Sequence, residues 1–420
     1  MRIVIATAVY YPQINGVAVF SHNLACGLAK RGHEVLVICP STTGKNYTKT
    51  QDGVRVCYLK SVDAKVYPDQ IHEVPEKKQV GRVKLPQLFY RHGLRVSVFP
   101  FREVRQILDE FKPDVVHVQV SDPIGLSVVG YARRHDIPVV TTEHNQPEVL
   151  TDSLKMPSVV KKGANVVLST YFRNRQSKSD FVTMPTERAI RGLLKDMRRD
   201  LGVPVAAVSN GVDLTCFKPG KAPKAVYEKY GVAPDRPVVL YVGRLDPEKQ
   251  VGLVIEAFNR ARTELAKTGV DPLLMIVGDG TDKARLEGLS LKLGLTGSVV
   301  LLGKVLPPDL YEIYQMGQIF VTASPIETQG IVLIEAAACG MPLIAVDKGA
   351  VAEVCQDGVN GVLCEAGDTR AIANAMINIL ADKKTREKFA QASLKIAAEH
   401  DLERTLDKFE NIYRQVVKDS

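Results

Sequence analysis

Residues 319–346 read IFVTASPIETQGIVLIEAAACGMPLIAV: a short apolar run, a polar loop, a longer apolar segment and a second short apolar run. The first run predicts a strand over Ile319–Thr322, and the loop after it contains Gly330. The segment near Ile331–Cys339 has the length of a helix, and Leu343–Val346 predicts the next strand. Short apolar runs separated by helices indicate parallel β-α-β units.

The same alternation runs through the chain twice. In the first half, Arg2–Thr7 predicts a strand, a helix follows, and Glu34–Cys39 predicts the next strand. In the second half, Pro237–Val242 predicts a strand that precedes a helix near Val251–Leu265. Further strands are predicted at Val115–Val118, Val139–Thr142, Val205–Val208, Leu273–Val277 and Val299–Leu302.

This pattern predicts an α/β protein with two Rossmann-like, doubly wound domains. Residues 1–208 form the N-terminal domain, the turn-rich segment 209–226 a linker, and residues 227–400 the C-terminal domain. A helix over 401–420 has apolar residues at helical spacing and could pack back on the N-terminal domain. In such sheets ligands bind at the carboxyl ends of the strands, so we expect a site in a cleft between the domains.

Composition excludes several classes of protein. The 420 residues are 45% hydrophobic and 24% charged, which is typical of a globular protein and not of a disordered one. Apolar runs stay below the roughly 18–20 residues that span a bilayer, and the apolar start of the chain is interpreted as a first strand, not a signal peptide. Seven scattered cysteines without C-x-x-C spacing argue against a disulfide framework or a zinc site, and indicate a cytoplasmic protein.

Positive charge is concentrated in the first half. Residues 1–200 contain 30 Lys and Arg against 19 Asp and Glu, whereas residues 201–420 contain 25 against 28. One basic stretch has apolar neighbours, namely Lys77, Lys78, Arg82, Lys84, Arg91, Arg95, Arg102 and Arg105 with Leu88, Phe89, Tyr90, Val96, Val98, Phe99 and Phe101. A second comprises Lys161, Lys162, Arg173, Arg175, Lys178, Arg188, Arg191, Lys195, Arg198 and Arg199. Both suit an anionic membrane surface, although a solvated basic face is the plainer interpretation.

Two carboxylates in the opening stretch are candidate ligand contacts. Glu327 lies in the loop and Glu335 about one turn into the helix. Gly330 lets the backbone approach a ligand, and free N–H groups at the helix start favour a phosphate. Carboxylates beside such a site can accept hydrogen bonds from sugar hydroxyls. The alternative is a capped amphipathic helix with solvated glutamates.

Four weaker signals follow other predicted strands. Arg244 and Lys249, after Pro237–Val242, could clamp a diphosphate or lie in a surface turn. Gly16, in the loop after the first strand, could present backbone amides to an anion, and Gly278 belongs to a short G-x-G. The complete G-x-G-x-x-G dinucleotide fingerprint is absent. His144 follows Val139–Thr142. A lone histidine is more often structural than catalytic, but a position at the carboxyl end of a strand favours a functional role.

Taken in order, these motifs resemble glycosyltransferase family 4, the retaining enzymes of GT-B fold. The resemblance runs nearly end to end, and further motifs that carry it are Gly32-His33-Glu34-Val35, His117, Ser209-Asn210-Gly211-Val212-Asp213, Gly278-Asp279-Gly280 and Gly340-x-Pro342. It differs from the family's usual pattern at Asn15, Asn145, Gln250 and Thr328-Gln329. Gln250 stands where the family usually has a glycine after the clamp lysine.

The resemblance implies a role for each residue. Arg244 and Lys249 would bind the donor diphosphate and support the leaving group, and Glu335 would hold the ribose hydroxyls. Glu327 would contact the donor sugar near the reacting centre, and His144 would lie by the acceptor and anomeric carbon. Donor contacts are also implied at Gly16, Gly278, Gln329, Gly330 and Ile331. The family needs no metal or other cofactor, and the chain contains no Asp-x-Asp.

The stretch Thr142–Glu148, with Asn15-Gly16-Val17, resembles the branch that glycosylates diacylglycerol. We therefore expect transfer of a hexose, from UDP-glucose or a similar nucleotide sugar, to a membrane lipid such as diacylglycerol. The protein would be peripheral on the inner face of the cell membrane. An alternative is a GDP-mannose- or UDP-N-acetylglucosamine-dependent transferase acting on a soluble or polyprenyl-linked glycan.

Other classes of protein fit less well. A GT-B epimerase would release free sugar without an acceptor, and a phosphorylase would need a pyridoxal-phosphate lysine site, for which the sequence gives no sign. A nucleic-acid-binding protein would use the basic half, but the chain has no matching module. It also has no tryptophan to offer as a stacking platform, so we expect no nucleic-acid partner.

Overall fold

The computed structural model describes residues 1–13, 15–64, 70–72, 90–92, 94–119, 122–144, 174, 176–197 and 201–419. Two compact units make up the chain. Unit 1 contains Met1–Val208 and Thr405–Ser420, and unit 2 contains Ser209–Arg404. Of the two basic stretches, Lys77, Lys78, Arg82, Lys84, Leu88, Phe89, Lys161, Lys162, Arg173, Arg175, Arg198 and Arg199 lie outside the described residues, as do the side chains of Tyr90, Arg91 and Lys195.

Strands and helices alternate along both units. The strands are β1 (Arg2–Ala6), β2 (Glu34–Pro40), β3 (Tyr47–Gln51), β4 (Val54–Leu59), β5 (Val62–Ala64), β6 (Gln70–His72), β7 (Tyr90–His92), β8 (Leu94–Val96), β9 (Val115–Val118), β10 (Val139–Thr142), β11 (Phe181–Met184), β12 (Val205–Ala207), β13 (Val238–Val242), β14 (Leu273–Val277), β15 (Val299–Gly303), β16 (Ile319–Val321), β17 (Leu343–Val346) and β18 (Gly361–Cys364). The helices are α1 (Gly16–Lys30), α2 (Phe101–Phe111), α3 (Pro123–Ala132), α4 (Glu187–Met197), α5 (Lys224–Tyr230), α6 (Val251–Ala266), α7 (Lys283–Lys292), α8 (Asp309–Met316), α9 (Ile331–Ala338), α10 (Thr369–Ala381), α11 (Lys383–Ala398) and α12 (Leu402–Lys418).

Unit 1 is built on one large sheet. Among the described residues its strand order is β12-β11-β10-β9-β1-β2-β4-β3, with every neighbouring pair parallel except β3 and β4. β1, β9 and β10 are apolar and buried along most of their length, because helices cover both faces of such a sheet. The strand order reverses between β1 and β9, so the loops after these two strands meet at one edge of the sheet.

The last helix completes unit 1. From Thr405 onward, α12 belongs to this unit and buries Leu406, Phe409 and Tyr413 at helical spacing. Leu406 lies so close to Gly27 of α1 that a Cβ atom on Gly27 would stand 2.5 Å from its Cδ1 atom. The residues with the predicted helical spacing therefore form the buried face of α12.

Unit 2 is built on a fully parallel sheet. Its strand order within the described residues is β15-β14-β13-β16-β17-β18, and it reverses between β13 and β16. Successive residues of β13 alternate between two apolar cores: Val239 and Tyr241 pack in one, and Leu240 and Val242 in the other. The reversal sets the loops after β13 and β16 side by side at the carboxyl edge.

Residues 209–226 pack as part of unit 2. Phe217 and Val226 are buried in its core, and α5 begins at Lys224. Across the described residues, no helix combines the length and the apolar composition that crossing a membrane would require.

Candidate active site

An ion pair joins the two loops at the strand reversal of unit 2. Lys249 Nζ donates to Glu327 Oε1 at 2.7 Å, with the side chains 15% and 17% exposed. Burial alone would raise the pKa of Glu327, but the Lys249 ammonium holds that pKa below its ordinary value. At neutral pH the pair is therefore a carboxylate and an ammonium at the carboxyl edge of the sheet.

Arg244 is held by carboxylates of its own loop. Its guanidinium pairs with Asp246, and its Nη2 atom donates to Glu248 Oε1 at 2.7 Å. Asp246 is buried and accepts two hydrogen bonds of 3.0 Å, from the backbone N–H and the hydroxyl of Thr281. The Arg244 side chain stays 42% exposed, so part of a fixed guanidinium faces solvent. Asp246 thus positions the cation, a role that the sequence analysis did not assign.

Gly278 belongs to a second loop that is bonded to the Arg244 loop. Leu245 N–H donates to the Asp279 carbonyl at 2.9 Å, and Asp282 N–H donates to the Leu245 carbonyl at 2.8 Å. Gly278 has a φ of 144°, which L side chains rarely adopt, and its backbone packs directly against Gly243. The predicted G-x-G therefore supports the loop that carries Arg244 through backbone contacts.

The start of α9 is a favourable place for an anion. Gly330 precedes Ile331 with a φ of 76°, and no side chain of the described residues caps the helix. An uncapped helix start offers backbone N–H groups and a partial positive charge. The predicted donor contacts at Gly330 and Ile331 thus lie in the same loop as Glu327.

The Gln329 side chain is already committed within unit 2. It is buried, its Oε1 atom accepts from Asn210 N–H at 3.0 Å, and its Nε2 atom donates to Ser209 Oγ at 2.8 Å. His400 Nδ1 lies 2.9 Å from the same Ser209 hydroxyl. Gln329 therefore joins the Glu327 loop to the segment at Ser209, and any donor contact falls to its backbone.

Glu335 is a buried carboxyl on α9. It is 9% exposed, and Tyr314 OH donates to its Oε2 atom at 2.5 Å. Burial raises the pKa of Glu335 to about 7, against the lowering effect of the Tyr314 hydrogen bond. Near neutral pH both forms of the Glu335 side chain are therefore populated: the protonated acid, which can donate a hydrogen bond, and the carboxylate, which only accepts.

His144 in unit 1 has a fixed ring. It follows β10, is buried, and its Nε2 atom lies 2.9 Å from Gln119 Oε1. Because an amide oxygen only accepts, His144 Nε2 carries the proton and Nδ1 keeps a lone pair. Burial lowers the pKa of His144 to about 4, so the ring is neutral at physiological pH.

A chain of buried polar groups continues behind Gln119. Its Nε2 atom lies 3.2 Å from His117 Nε2, and His117 Nδ1 lies 2.6 Å from Tyr413 OH of α12. Burial, followed by the charge of His144, lowers the pKa of His117 to about 3. Gln119 and Tyr413 are therefore positioning residues for His144. No motif in the sequence marks either residue, although Gln119 is a polar residue directly after a buried strand.

Gly16 is the exposed first residue of α1. The side chain of Asn15 caps this helix, since its Oδ1 atom accepts from Ala18 N–H at 2.9 Å. Gly16 and His144 belong to unit 1, whereas Arg244, Lys249 and Glu327 belong to unit 2. Within unit 2 the structure brings the predicted clamp and carboxylate residues together at one edge of the sheet.

Two family models match the sequence. The model described as Glycosyltransferase Family 4 matches residues 14–215, and the model described as Glycosyl transferases group 1 matches residues 225–395. The chain belongs to glycosyltransferase family 4. This family 4 glycosyltransferase is accordingly an enzyme that uses a nucleotide sugar, as the ordered motifs predicted.

Similar full-length relatives carry several different names. The chain is 27% identical to the N-acetyl-alpha-D-glucosaminyl L-malate synthase of Bacillus anthracis, over 97% of this chain and 96% of that protein. It is 27% identical to the alpha-monoglucosyldiacylglycerol synthase of Acholeplasma laidlawii, over 86% and 84%. It is 29% identical to a GDP-mannose-dependent alpha-mannosyltransferase of Mycobacterium tuberculosis, over 88% and 85%.

Solved structures confirm the predicted fold. The sucrose-phosphate synthase of Thermosynechococcus elongatus matches with a TM-score of 0.76 at 18% identity, over 100% of both chains. Anabaena Alr3699/HepE in complex with UDP-glucose matches with a TM-score of 0.70 at 16% identity, over 98% of this chain and 99% of that chain. The glycosyltransferase therefore has the GT-B fold with two Rossmann-like domains.

Proposed function

We propose that this glycosyltransferase transfers a hexose from a UDP-sugar to a membrane lipid such as diacylglycerol, without a metal and with retention of the anomeric configuration. The observation that carries the donor half is the Lys249–Glu327 ion pair at the strand reversal of unit 2. The observation that supports the acceptor half is a group of exposed apolar side chains in unit 1.

Arg244 and Lys249 supply the positive charge that departure of a nucleotide diphosphate requires. Negative charge develops on the leaving phosphate, and fixed cations stabilise that charge in the transition state. Lys249 Nζ, 2.7 Å from Glu327, would exchange part of this contact for a phosphate oxygen when the donor binds. Glu327 would then be free to accept a hydrogen bond from the sugar.

The remaining donor contacts follow from the same loops. The uncapped start of α9 at Gly330 and Ile331 would bind a phosphate oxygen, and Glu335 would accept from the ribose hydroxyls once ionised. The neutral His144, with a lone pair on Nδ1, would accept a hydrogen bond from the acceptor or the sugar. Gly16 would leave room for the donor phosphate at the start of α1.

The apolar patch of unit 1 comprises Val62, Val98, Phe99 and Phe101. Phe99 is 79% exposed and Phe101 58% exposed, which is unusual for large apolar side chains that make no membrane or protein contact. Val62 pairs with Val96 across β5 and β8, which sets it at the same edge as Val98. Such a patch could enter the headgroup region of a bilayer.

Basic side chains adjoin this patch. Arg102 and Arg105 are exposed on the first turns of α2 and could attract anionic lipid. Arg95 has a different role, because its guanidinium donates to the carbonyls of Ser41 and Ser61 at 2.9 Å each. Arg95 therefore anchors β8 to the segments at Ser41 and Ser61.

A panel of labelled nucleotide sugars tests the proposal. Purified protein is incubated with labelled UDP-glucose, UDP-galactose, UDP-N-acetylglucosamine or GDP-mannose, in EDTA. The acceptor is supplied as liposomes of diacylglycerol and anionic lipid or, separately, as a soluble or polyprenyl-linked glycan. We expect label from a UDP-hexose in the organic phase, and its loss in Glu327→Gln. Label from GDP-mannose or UDP-N-acetylglucosamine on a soluble or polyprenyl-linked glycan alone would overturn the acceptor and the donor proposed here.

The apolar patch is tested by matched substitutions. Phe99→Ser with Phe101→Ser should lower vesicle binding and lipid transfer while leaving UDP affinity unchanged. Leu291→Ser is the control, since Leu291 is an apolar side chain of unit 2 that is 69% exposed. Equal vesicle binding by the two variants would argue against docking through this patch.

A further inference from the structure

Three side chains of unit 1 outside the candidate active site form a compact His, Cys and Asp cluster. His22 and Cys26 lie four residues apart on α1, and Asp52 lies in the turn between β3 and β4. His22 Nε2 is 3.6 Å from Cys26 Sγ and 3.6 Å from Asp52 Oδ2. One ligand atom from each residue lies within 4.8 Å of those of the other two.

The distance between the sulfur and nitrogen ligands fits a zinc ion bound between them. Zinc–sulfur and zinc–nitrogen bonds of about 2.3 and 2.0 Å, set at a tetrahedral angle, hold sulfur and nitrogen about 3.5 Å apart. The corresponding distance between Cys26 Sγ and His22 Nε2 is 3.6 Å. A thiolate, an imidazole and a carboxylate are the ligand types that zinc takes in proteins, and together the thiolate and carboxylate balance its two charges.

The surroundings orient the histidine as an outer ligand shell would. Tyr10 OH lies 3.1 Å from His22 Nδ1, and the Tyr11 ring lies against the imidazole with 4.4 Å between centroids. A hydrogen bond at one ring nitrogen leaves the other for a metal, and such partners are common behind metal-bound histidines. Tyr58 OH in turn donates to the Tyr11 carbonyl at 2.7 Å.

Access to the cluster is open on one side. The Cys26 side belongs to the core, with 8% of the residue exposed, whereas the Asp52 side chain is 61% exposed. A metal could therefore enter from solvent beside Asp52, which lies in a two-residue turn with Gly53 and can adjust its rotamer. Water would occupy the fourth coordination position.

We propose that His22, Cys26 and Asp52 bind a zinc ion that fastens the β3–β4 hairpin to α1. The cysteine spacing gave no sign of this site, because its ligands are not a pair of cysteines but a His-x-x-x-Cys on one helix face and a distant aspartate. Tyr10 and Tyr11 begin the loop that leads to Gly16, so the ion would fasten the base of that loop. Its role is structural and separate from the transfer chemistry.

Cobalt titration of the full chain tests the site. Co²⁺ is added to protein freed of metal, and thiolate-to-cobalt charge-transfer and visible d–d absorption are recorded. Zinc affinity is then measured by displacement of the cobalt signal. We expect one equivalent of tetrahedral cobalt in the wild type, loss of the charge-transfer band in Cys26→Ser, and at least tenfold weaker zinc binding in Asp52→Asn.

Two controls keep the outcome interpretable. Cys216→Ser removes a partly exposed thiol of unit 2 and should leave the spectrum unchanged. Asp52→Asn alters an exposed side chain, so it reports on the site even if Cys26→Ser folds poorly. Absence of tetrahedral cobalt in the wild type, or an unchanged zinc affinity in Asp52→Asn, would overturn the proposal. Lipid transfer that persists in EDTA, where the cobalt spectrum is lost, would separate this site from the transfer reaction.

Discussion

A Cβ atom on Gly278 would stand 1.8 Å from the carbonyl oxygen of Gly243. The contact joins the loop after β14 to the loop after β13, which carries Arg244 and Lys249. No side chain fits between two backbones this close, and the φ of 144° at Gly278 excludes most residues independently. Gly278, a weak signal in the sequence, therefore fixes the position of the loop that carries Arg244 and Lys249.

Substitution Gly278→Ala should move the clamp loop. We expect a loss of about 1–3 kcal/mol in the free energy of unfolding, because a methyl group must displace the Gly243 backbone. UDP affinity should fall as well, measured by calorimetric titration beside urea unfolding. Gly288→Ala on α7 is the control, since a Cβ there meets no atom within 4 Å. Equal effects of the two substitutions would refute the role given to the Gly278 contact.

Substitution Lys249→Gln should remove a cation from the departing diphosphate. We expect kcat to fall by about 10²–10³-fold, as for removal of one transition-state partner. The Glu327 pKa is held low, so the stability that the pair contributes is present at neutral pH and lost as pH falls through that pKa. The stability difference between wild type and variant should therefore shrink on acidification.

The matched control for that variant is Lys267→Gln. Lys267 pairs with Glu264 at 2.7 Å, but its side chain is 66% exposed. An exposed ion pair contributes little to the free energy of unfolding, and Lys267 lies outside the candidate site. Both kcat and the pH dependence of unfolding should therefore match the wild type. A similar fall in kcat for both variants would mean that Lys249 does not act on the leaving group.

Glu335 should make stability and nucleotide binding depend on pH in opposite directions. Its pKa is raised from 4.5 to about 7, so the native protein binds more protons than the unfolded chain in that interval. Its contribution to stability is therefore lost as pH rises through about 7. Glu335→Gln should gain in relative stability from pH 5 to pH 8, measured by urea unfolding at each pH.

Nucleotide binding gives the second readout for Glu335. The carboxylate accepts hydrogen bonds from ribose hydroxyls more strongly than the protonated acid does, so wild-type UDP affinity should rise from pH 6 to pH 8. In Glu335→Gln the affinity should be lower and nearly independent of pH. A wild-type affinity that stays flat over this range would remove Glu335 from the ribose site.

Substitution Gln119→Met should impair catalysis through His144. Methionine keeps much of the volume but cannot accept the Nε2–H of His144, which lies 2.9 Å from Gln119 Oε1. We expect kcat to fall by about tenfold or more, since proton-handling groups depend on their orientation. The pH profile of kcat should also shift, whereas the KM for the donor should change little. An unchanged profile with lowered stability would indicate a purely structural residue.

Substitution Gln250→Gly should stabilise the protein. Gln250 has a φ of 52°, a left-handed conformation that costs a non-glycine residue about 1–2 kcal/mol, and its Oε1 atom is buried without a hydrogen-bond partner in the described structure. The greater freedom of glycine in the unfolded chain offsets part of the gain, so we expect about 1 kcal/mol by thermal unfolding. A loss of stability would mean that the Gln250 side chain contributes packing that outweighs its strain.

The fold could be predicted from the sequence because its strands are easily recognised. Short runs such as β13 and β14 are apolar throughout, and parallel strands buried on both faces need no partner information to be recognised. Glu327 and Lys249 could also be named from the sequence as candidate site residues, because both lie in the loops that follow such strands. The contact between Lys249 and Glu327 could not be predicted. It depends on β16 lying beside β13 in the sheet, although β14 and β15 separate these two strands in the chain.

The sequence alone did not identify the residues that position candidate site residues through hydrogen bonds. Gln119 bonds to His144 and Tyr413 bonds to His117 from distant parts of the chain, and neither lies in a motif. Asp246 lies in the same loop as Arg244, but the sequence does not show that the two side chains pair. The donor contact predicted at Gln329 is one of its backbone, and the sequence does not show that its side chain binds Ser209 and Asn210. The sequence indicates which residue types stand near a loop, whereas the direction of each side chain depends on tertiary packing.

Unit 1 draws its last helix from beyond unit 2 in the sequence, and this imposes an order on synthesis. A ribosome must translate all of Ser209–Arg404 before it reaches Tyr413, the partner of His117. Domains generally fold as units while the chain is still growing. Unit 2 is therefore synthesised in full before α12 can complete unit 1. Until then the emerging first half exposes the groove that Leu406 and Phe409 later fill, and this apolar surface is open to aggregation until synthesis is finished.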